Sequence, residues 1–516
     1  MVPLDFRDAL PEDHAAWYFK SVADELDMSE FEAKYRADGV GRPPYSPKAM
    51  LAVITYCASK KTISSRALAA ACRDDIGARA IMGNVFPNRT AFNRFKKSHA
   101  KAIAGLLAQT LRLGQAEGLV DITVIAGDGT KIAANAAMSA AADGPGLQAQ
   151  IDALTARLEI AVREWTALVL ADGSGIPGVL FGEPDTMPAG QRGKHRGAGD
   201  PVTAWREVST LRSVLGSREA AMTYLQEHPG AAHNDWTDRL ERDQARVTAC
   251  RERLEATRTD LTTAAAHREA ITAPGKEPRG HPVPVEKHIR VRRAVQALAT
   301  ATARAEATAK DRPRLEKVNT TDPRSRIMPS KHGGYDQNYN IQGMTCRNQF
   351  ILAFTVHDSA NDKQALAPLL DATRKNLDDA GITATIGTAL FDSGYASERN
   401  IATTTTTTTT TTTGADTAIV DLLLISVERE CRQTGRLTDG NSTAALAWKT
   451  MGDRLAEPAN RELYKRRGAI IEPLFAQLFT CFGRNLTLRN ENIETEIFLW
   501  AATHNLLKIK RARQKT

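Results

Sequence analysis

An apolar stretch that runs into a carboxylate decides the fold of this chain: Val120-Asp121-Ile122-Thr123-Val124-Ile125-Ala126-Gly127-Asp128-Gly129-Thr130. A run of this length that ends in Asp-Gly predicts a buried strand with Asp128 at its C-terminal edge. Residues 386–391 predict a second such strand, and Asp392 follows it directly. Strand ends of this kind converge when the strands are neighbours in one sheet. We therefore expect the two carboxylates to lie together.

Further elements surround these two strands. Residues 339–344 and 350–356 predict two more strands, and residues 345–348 between them suit a hairpin turn. A helix is predicted over residues 363–377, before the strand that precedes Asp392. This order of elements predicts a mixed α/β fold with a partly antiparallel sheet.

Residues 139–317 differ in character and are rich in Ala, Arg and Glu. Apolar positions recur there with the spacing of a heptad seam, at Leu147, Ile151, Leu154, Leu158, Ala161, Trp165 and Leu168, and again at Leu240, Val247, Leu254 and Leu261. Such seams predict an antiparallel helical hairpin or a coiled-coil arm. Residues 171–201, rich in Gly and Pro, predict a loop at its tip, and the eleven threonines from 403 to 413 predict a surface loop.

The chain of 516 residues has a net charge of +8, but the charge is unevenly distributed. Residues 41–101 hold 12 Lys or Arg against 2 Asp or Glu, and residues 459–516 hold 11 against 5. Two basic segments at opposite ends of the chain suggest a polyanionic partner that touches both, although two solvated basic faces would have the same charge.

The first basic segment predicts short helices, the last of which begins near Asn88. Phe92 and Phe95 would face inward. Four basic side chains would then lie on the polar face of the helix: Arg89, Arg94, Lys96 and Lys97. Helices of this kind resemble a helix-turn-helix DNA reader. The alternative is a small structural helical bundle with a basic surface.

A third acid, Glu472, precedes a proline. Pro473 suits the first turn of a helix, which would place Glu472 at the N-terminal edge of that helix. Asp128, Asp392 and Glu472 would then offer three oxygen ligands with arginines nearby, a set that suits Mg²⁺. Two such ions can support in-line attack on a phosphodiester. The loop acids Asp322 and Asp362 could replace a member of this set, but neither ends an apolar run.

Composition excludes several other classes of protein. The six cysteines show no CxxC spacing, so a zinc cluster or a disulfide framework is not expected. No apolar run approaches the roughly 20 residues that a membrane span needs. The acidic N-terminus is unlike a signal peptide. His504 lies on an apolar C-terminal stretch and is predicted to be a core residue and not a ligand.

Nine motifs follow one another along nearly the whole chain: GRPPYSP (41–47), SSRAL (64–68), PNRT (87–90), AGDGTKIAAN (126–135), NTTDPRSR (319–326), GYDQNYNIQ (334–342), FDSGY (391–395), RGAIIEPLF (467–475) and AATHNL (501–506). In this order they resemble bacterial insertion-sequence DDE transposases with an RNase H-like catalytic core. The resemblance implies that Asp128, Asp392 and Glu472 form the metal-binding catalytic triad.

The resemblance also implies residues that grip DNA. Tyr464 and Arg467 match the Tyr-x-x-Arg element that precedes the glutamate and holds the backbone near the cut end, where a guanidinium fits phosphate oxygens bidentately. Four residues separate Arg467 from Glu472 where related signatures often have three, so Arg466 is the alternative. Phe479 stands where such enzymes usually carry a lysine, and most of the inserted length precedes the second Asp.

We therefore expect an α/β fold in which an RNase H-like mixed sheet has helices on both faces. To this core are added an N-terminal helix-turn-helix-like domain and a large helical (coiled-coil) insertion. The expected parts are a DNA-binding domain at 1–115, a catalytic domain at 116–138 and 318–483, the insertion at 139–317, and a C-terminal helix with a basic tail at 484–516.

The expected function is that of a DNA transposase that cleaves at terminal inverted repeats and transfers the 3′-hydroxyl into target DNA. Two Mg²⁺ ions, with Mn²⁺ as a substitute, would be the cofactors. The partners would be double-stranded DNA and a second copy of the chain, in a bacterial cytoplasm at the nucleoid. The alternatives are an RNase H-like nuclease without strand transfer and a degenerate transposase that only binds DNA.

Overall fold

The computed structural model describes residues 10–35, 44–171, 201–228, 231–271, 283–311, 317–330, 333–403, 408–410, 416–427, 443–490 and 492–515. The chain divides into two compact units, one of residues 1–140 and 324–516 and the other of residues 141–323. Across the described ranges, no helix combines the length and the apolar character that crossing a bilayer requires.

The described residues form ten strands: β1 (Val124–Ala133), β2 (Ala141–Ala142), β3 (Val318–Asn319), β4 (Arg326–Pro329), β5 (Tyr335–Cys346), β6 (Ile351–His357), β7 (Ile386–Phe391), β8 (Thr408–Thr410), β9 (Asp416–Ala418) and β10 (Val420–Ile425). They also form seventeen helices: α1 (Ala15–Glu25), α2 (Ser29–Glu32), α3 (Pro47–Ser59), α4 (Ser65–Asp74), α5 (Ile76–Met82), α6 (Arg89–Ser98), α7 (Ala100–Ala116), α8 (Gly144–Ala171), α9 (Pro201–Glu227), α10 (Ala231–Ile271), α11 (Ile289–Lys310), α12 (Leu366–Asp379), α13 (Glu398–Thr403), α14 (Thr443–Ala456), α15 (Pro458–Lys465), α16 (Arg467–Phe482) and α17 (Asn492–Arg513).

A six-stranded mixed sheet forms the centre of the first unit. Its order is β10-β7-β1-β5, and both β4 and β6 pair with β5. β1 is antiparallel to β5 and parallel to β7, which is in turn parallel to β10. The prediction of a mixed α/β fold with a partly antiparallel sheet is therefore confirmed.

Strand β1 differs from its prediction in both bounds. It begins at Val124, and it continues past Asp128 to Ala133 because β5 pairs with it from Ile125 to Ala133. Asp128 therefore lies within a strand, and the prediction that it ends one is wrong. On the other side of β1, pairing with β7 stops at Ala126, opposite Leu390.

The helices of the first unit pack on this sheet and on one another. One core joins N-terminal helices to the sheet through buried residues that include Phe19, Met50, Phe92, Leu352 and Phe391. A second core lies where α16 packs against β1 and β5, and it includes Ile132, Ile341, Ile471, Leu474 and Trp500. These two cores hold the sheet between layers of helix.

The second unit is helical apart from the short pair of β2 and β3. α8 packs against α9 and α10 packs against α11. Along α10 the buried positions include Asp243, Leu254 and Thr257, of which Leu254 belongs to the predicted seam. The rings of Trp165 and Trp205 meet between α8 and α9, with centroids 4.8 Å apart.

Two predicted loops fall mainly outside the described residues. Residues 172–200 of the predicted tip are not among them. Of the threonine run, Thr403 ends α13 and Thr408–Thr410 forms β8, which pairs with β9, so the run is not a loop throughout. The other threonines lie outside the described residues.

Candidate active site

The sheet brings Asp128 and Asp392 together. β1 and β7 run parallel with Ala126 opposite Leu390, and each acid follows two residues later. The charge of Asp392 acts on Asp128, so the two carboxylates are neighbours. Asp128 Oδ1 accepts a hydrogen bond from Gly129 N (2.7 Å). Asp392 caps the 3₁₀ turn Ser393–Tyr395, and its Oδ1 accepts a hydrogen bond from Gly394 N (3.0 Å).

The electrostatics agree with this proximity. Burial is the main cause that raises the pKa of Asp128, and the neighbouring negative charge of Asp392 raises it further. Arg467 opposes both effects, since its Nη1 lies 3.3 Å from Asp128 Oδ2. Two carboxylates in a partly buried site make that site attractive to a cation.

The Tyr-x-x-Arg element also lies beside these carboxylates. The hydroxyl of Tyr464 donates to the carbonyl of Phe391 (3.0 Å), the residue before Asp392. Burial raises the pKa of Tyr464, and the positive charge of Arg467 is the first of the causes that lower it. Arg466, the alternative to Arg467, is exposed, so it is Arg467 that the structure places against the carboxylates.

Glu472 is placed differently from its prediction. α16 begins at Arg467, so Pro473 lies inside the helix and Glu472 does not lie at its N-terminal edge. The helix tolerates the proline because Ala469 O, which Pro473 cannot bond, accepts a hydrogen bond from Gln349 Nε2 (3.3 Å). Glu472 is exposed. Within the described residues, no three His, Cys, Asp or Glu side chains are grouped closely enough to hold a metal ion.

Asp362, which sequence reasoning set aside, lies next to the pair. A Cβ atom on Gly394 would be 3.0 Å from Asp392 Oδ1 and 3.2 Å from Asp362 Oδ2, so the two carboxylates flank this glycine. Asp362 follows no apolar run, and only the fold of the loop before α12 brings it here. The sequence signal for its position is the pair of Asn340 and Gln342, two amide side chains on one face of β5 that both donate to Asp362.

The basic helix α6 corrects one predicted DNA contact. Arg89, Arg94 and Lys97 are exposed. Lys96 is only 3% exposed, and its Nζ donates to the carbonyl of Ile63 (2.9 Å). Burial lowers the pKa of Lys96 to about 8. Lys96 follows Phe92 by four residues, so it shares the face that Phe92 buries, and it is not available to DNA.

One family model matches the chain. It is described as a transposase domain (DUF772), and it covers residues 4–98, which include α1 to α6. No curated protein and no solved structure is significantly similar to the chain. The segment at residues 4–98 thus matches a transposase domain, which supports a transposase-family protein.

Proposed function

We propose that the chain is a DDE transposase that cleaves DNA at the ends of its own element and joins the freed 3′-hydroxyl to target DNA. The observation that carries the proposal is the pair formed by Asp128 in β1 and Asp392 directly after the parallel neighbour β7, with Arg467 against Asp128. The transposase-domain match at residues 4–98 supports the same function independently.

The topology of the sheet supports an RNase H-like core. β1, β5 and β6 are consecutive antiparallel neighbours, and β7 and β10 extend the sheet in parallel on the other side of β1. In such an arrangement the central strand β1 and its parallel neighbour β7 each contribute a carboxylate at one edge of the sheet. Asp128 and Asp392 occupy these two places.

The donor set fits Mg²⁺, with Mn²⁺ as a substitute. Asp128 and Asp392 offer only oxygen atoms, and after burial the charge of Asp392 is the cause that raises the pKa of Asp128, a repulsion that a cation would relieve. We assign Glu472 as the third ligand. When bound, ions of this kind activate a water or a 3′-hydroxyl and stabilise the leaving oxygen.

The residues around the pair would hold the DNA. The guanidinium of Arg467 is positioned to meet a phosphate beside the carboxylates, and the Tyr464 hydroxyl fixes α15 against the end of β7. Arg89, Arg94 and Lys97 would bind the backbone of the element end. The helical second unit would join two copies of the chain, since both element ends must be held together.

A DNA-binding protein that no longer cleaves is the second candidate, because Glu472 is exposed and Phe479 replaces the lysine expected there. The side chain of Arg484 nevertheless supplies a positive charge beside Phe479, because its guanidinium stacks over the Phe479 ring, 4.1 Å from the centroid.

The test uses the purified full chain, Mg²⁺ or Mn²⁺, and labelled DNA that carries the ends of its own element. Cleavage at the ends followed by strand-transfer products supports the transposase. Cleavage alone identifies a nuclease. Binding without any metal-dependent nicking identifies the DNA-binding protein.

A further inference from the structure

We propose that Gln342 and Asp362 are positioning residues for Asp392 and act on it through the hydroxyl of Tyr395. The inference rests on the proposed function, because it concerns the carboxylate that would hold the metal ion. It assigns a role to the Tyr-Asn-Ile-Gln motif and to the loop before α12, which the triad itself does not use.

The relay begins at Asp362, which lies beside the sheet. Its Oδ1 accepts hydrogen bonds from Asn340 Nδ2 (2.7 Å) and from Gln342 Nε2 (2.7 Å), and Lys131 Nζ lies 3.4 Å away. Three donors on one carboxylate oxygen fix the direction of the Asp362 side chain.

Gln342 transmits this orientation. Its side chain is fully buried, and because Nε2 donates to Asp362, its Oε1 must point the other way. There it accepts a hydrogen bond from the hydroxyl of Tyr395. A Cβ on Gly129 would lie 2.3 Å from Gln342 Nε2, so the glycine that follows Asp128 leaves the space that this amide occupies.

Tyr395 connects the relay to the second carboxylate. It is fully buried and closes the 3₁₀ turn that Asp392 caps, and its ring meets that of Phe391 edge-on with centroids 4.8 Å apart. Asn400 makes a parallel link, since its Nδ2 donates to both Tyr395 O and Lys363 O, each at 2.7 Å. The turn that carries Asp392 is thus held from two sides by the loop that carries Asp362.

A hydrogen-bonded network of this kind orients a metal-binding carboxylate in the way that outer-shell partners orient metal ligands elsewhere. Loss of such a partner usually weakens metal binding by about 10- to 100-fold. The Tyr395→Phe variant removes only the hydroxyl and keeps the ring packing, so it isolates the relay from the core.

The experiment measures Mn²⁺ binding to the full chain by electron paramagnetic resonance, with the metal alone as the probe. We expect wild type to bind Mn²⁺, Asp392→Asn to lose this binding, and Tyr395→Phe to bind about 10- to 100-fold more weakly. Tyr56→Phe is the matched control, because it also loses a buried hydroxyl bond, to Asp75 Oδ1 (2.9 Å), among the N-terminal helices. It should bind as wild type does.

Asp362→Asn separates positioning from direct ligation. The variant keeps an oxygen that can accept from Asn340 and Gln342, so a positioning residue should lose less than tenfold in Mn²⁺ affinity. A loss as complete as that of Asp392→Asn would make Asp362 a ligand and overturn the proposal.

Different results would overturn the proposed metal site and the proposed relay. If wild type binds no Mn²⁺ or if Asp392→Asn binds as tightly as wild type, the proposed metal site is wrong. If Asp392→Asn loses binding while Tyr395→Phe retains wild-type affinity, the site stands and the relay is wrong. Equal losses in Tyr395→Phe and Tyr56→Phe would also overturn the relay, since the effect would then be one of general stability.

Discussion

The acidic groups on strands and the polar groups on helices differ in how well their positions follow from the sequence. Asp128 and Asp392 lie together because two parallel strands share a register. Glu472 and Lys96 both lie on helices, and both depart from prediction. Glu472 lies inside its helix and is exposed, whereas Lys96 is buried. A strand places alternate residues on one face, whereas each step along a helix turns the side chain by about 100°. Helix bounds and packing therefore decide what a helical side chain meets.

The largest expected effect tests the strand side of this comparison. Asp128→Asn and Asp392→Asn keep the shape of each side chain but remove its negative charge, so each should abolish metal-dependent cleavage of element-end DNA. Glu472→Gln, at the third assigned ligand, should do the same. Retained DNA binding in gel-shift assays would show that the loss is chemical.

Asp421→Asn is the control for these variants, because this exposed carboxylate lies on β10 of the same sheet. It should cleave as wild type does. Full activity of Glu472→Gln, beside two inactive Asp variants, would show that the helix-borne acid takes no part.

The second effect compares two neighbouring arginines at the start of α16. Arg467→Ala removes the guanidinium that lies against Asp128, and loss of one charge-assisted contact to phosphate should lower kcat/KM for cleavage by about 10- to 100-fold. Arg466→Ala removes an exposed charge and should lower kcat/KM by a smaller factor. Single-turnover cleavage assays measure both. The reverse order would identify Arg466 as the phosphate-binding residue.

The third effect concerns the two faces of α6. Arg94→Ala combined with Lys97→Ala should reduce the salt dependence of DNA binding. The slope of the logarithm of the binding constant against the logarithm of the salt concentration should fall by about two, one for each lost phosphate contact. Lys96→Met removes a buried amine of similar volume and should leave the slope unchanged. Fluorescence anisotropy on element-end DNA over a range of salt concentrations gives all three slopes. A slope change in Lys96→Met would contradict the burial of this residue.

The smallest effect concerns His504 on α17, a core residue as predicted. His504 is 4% exposed and its Nε2 lies 2.9 Å from the carbonyl of Gln349. Burial lowers its pKa from 6.5 to about 4. The unfolded chain therefore takes up the proton first as the pH falls, so this contribution to stability is lost between pH 6.5 and pH 4.

His504→Gln should accordingly lose about 1 kcal/mol less free energy of unfolding than wild type between pH 7 and pH 5.5. Urea denaturation followed by circular dichroism at the two pH values measures the difference. An identical acid loss in both proteins would mean that His504 does not titrate in this range.

The sequence by itself determined the strands that carry Asp128 and Asp392, the mixed sheet and the core position of His504, because apolar runs and their spacing are local properties. Only the tertiary structure decided that β1 continues past Asp128, since that depends on the length of β5 as its partner. It also decided that Lys96 is buried, that α16 begins at Arg467, and that Gln342 links Asp362 to the hydroxyl of Tyr395. These features depend on contacts between residues far apart in the chain, and no local pattern records which side chains such contacts bring together.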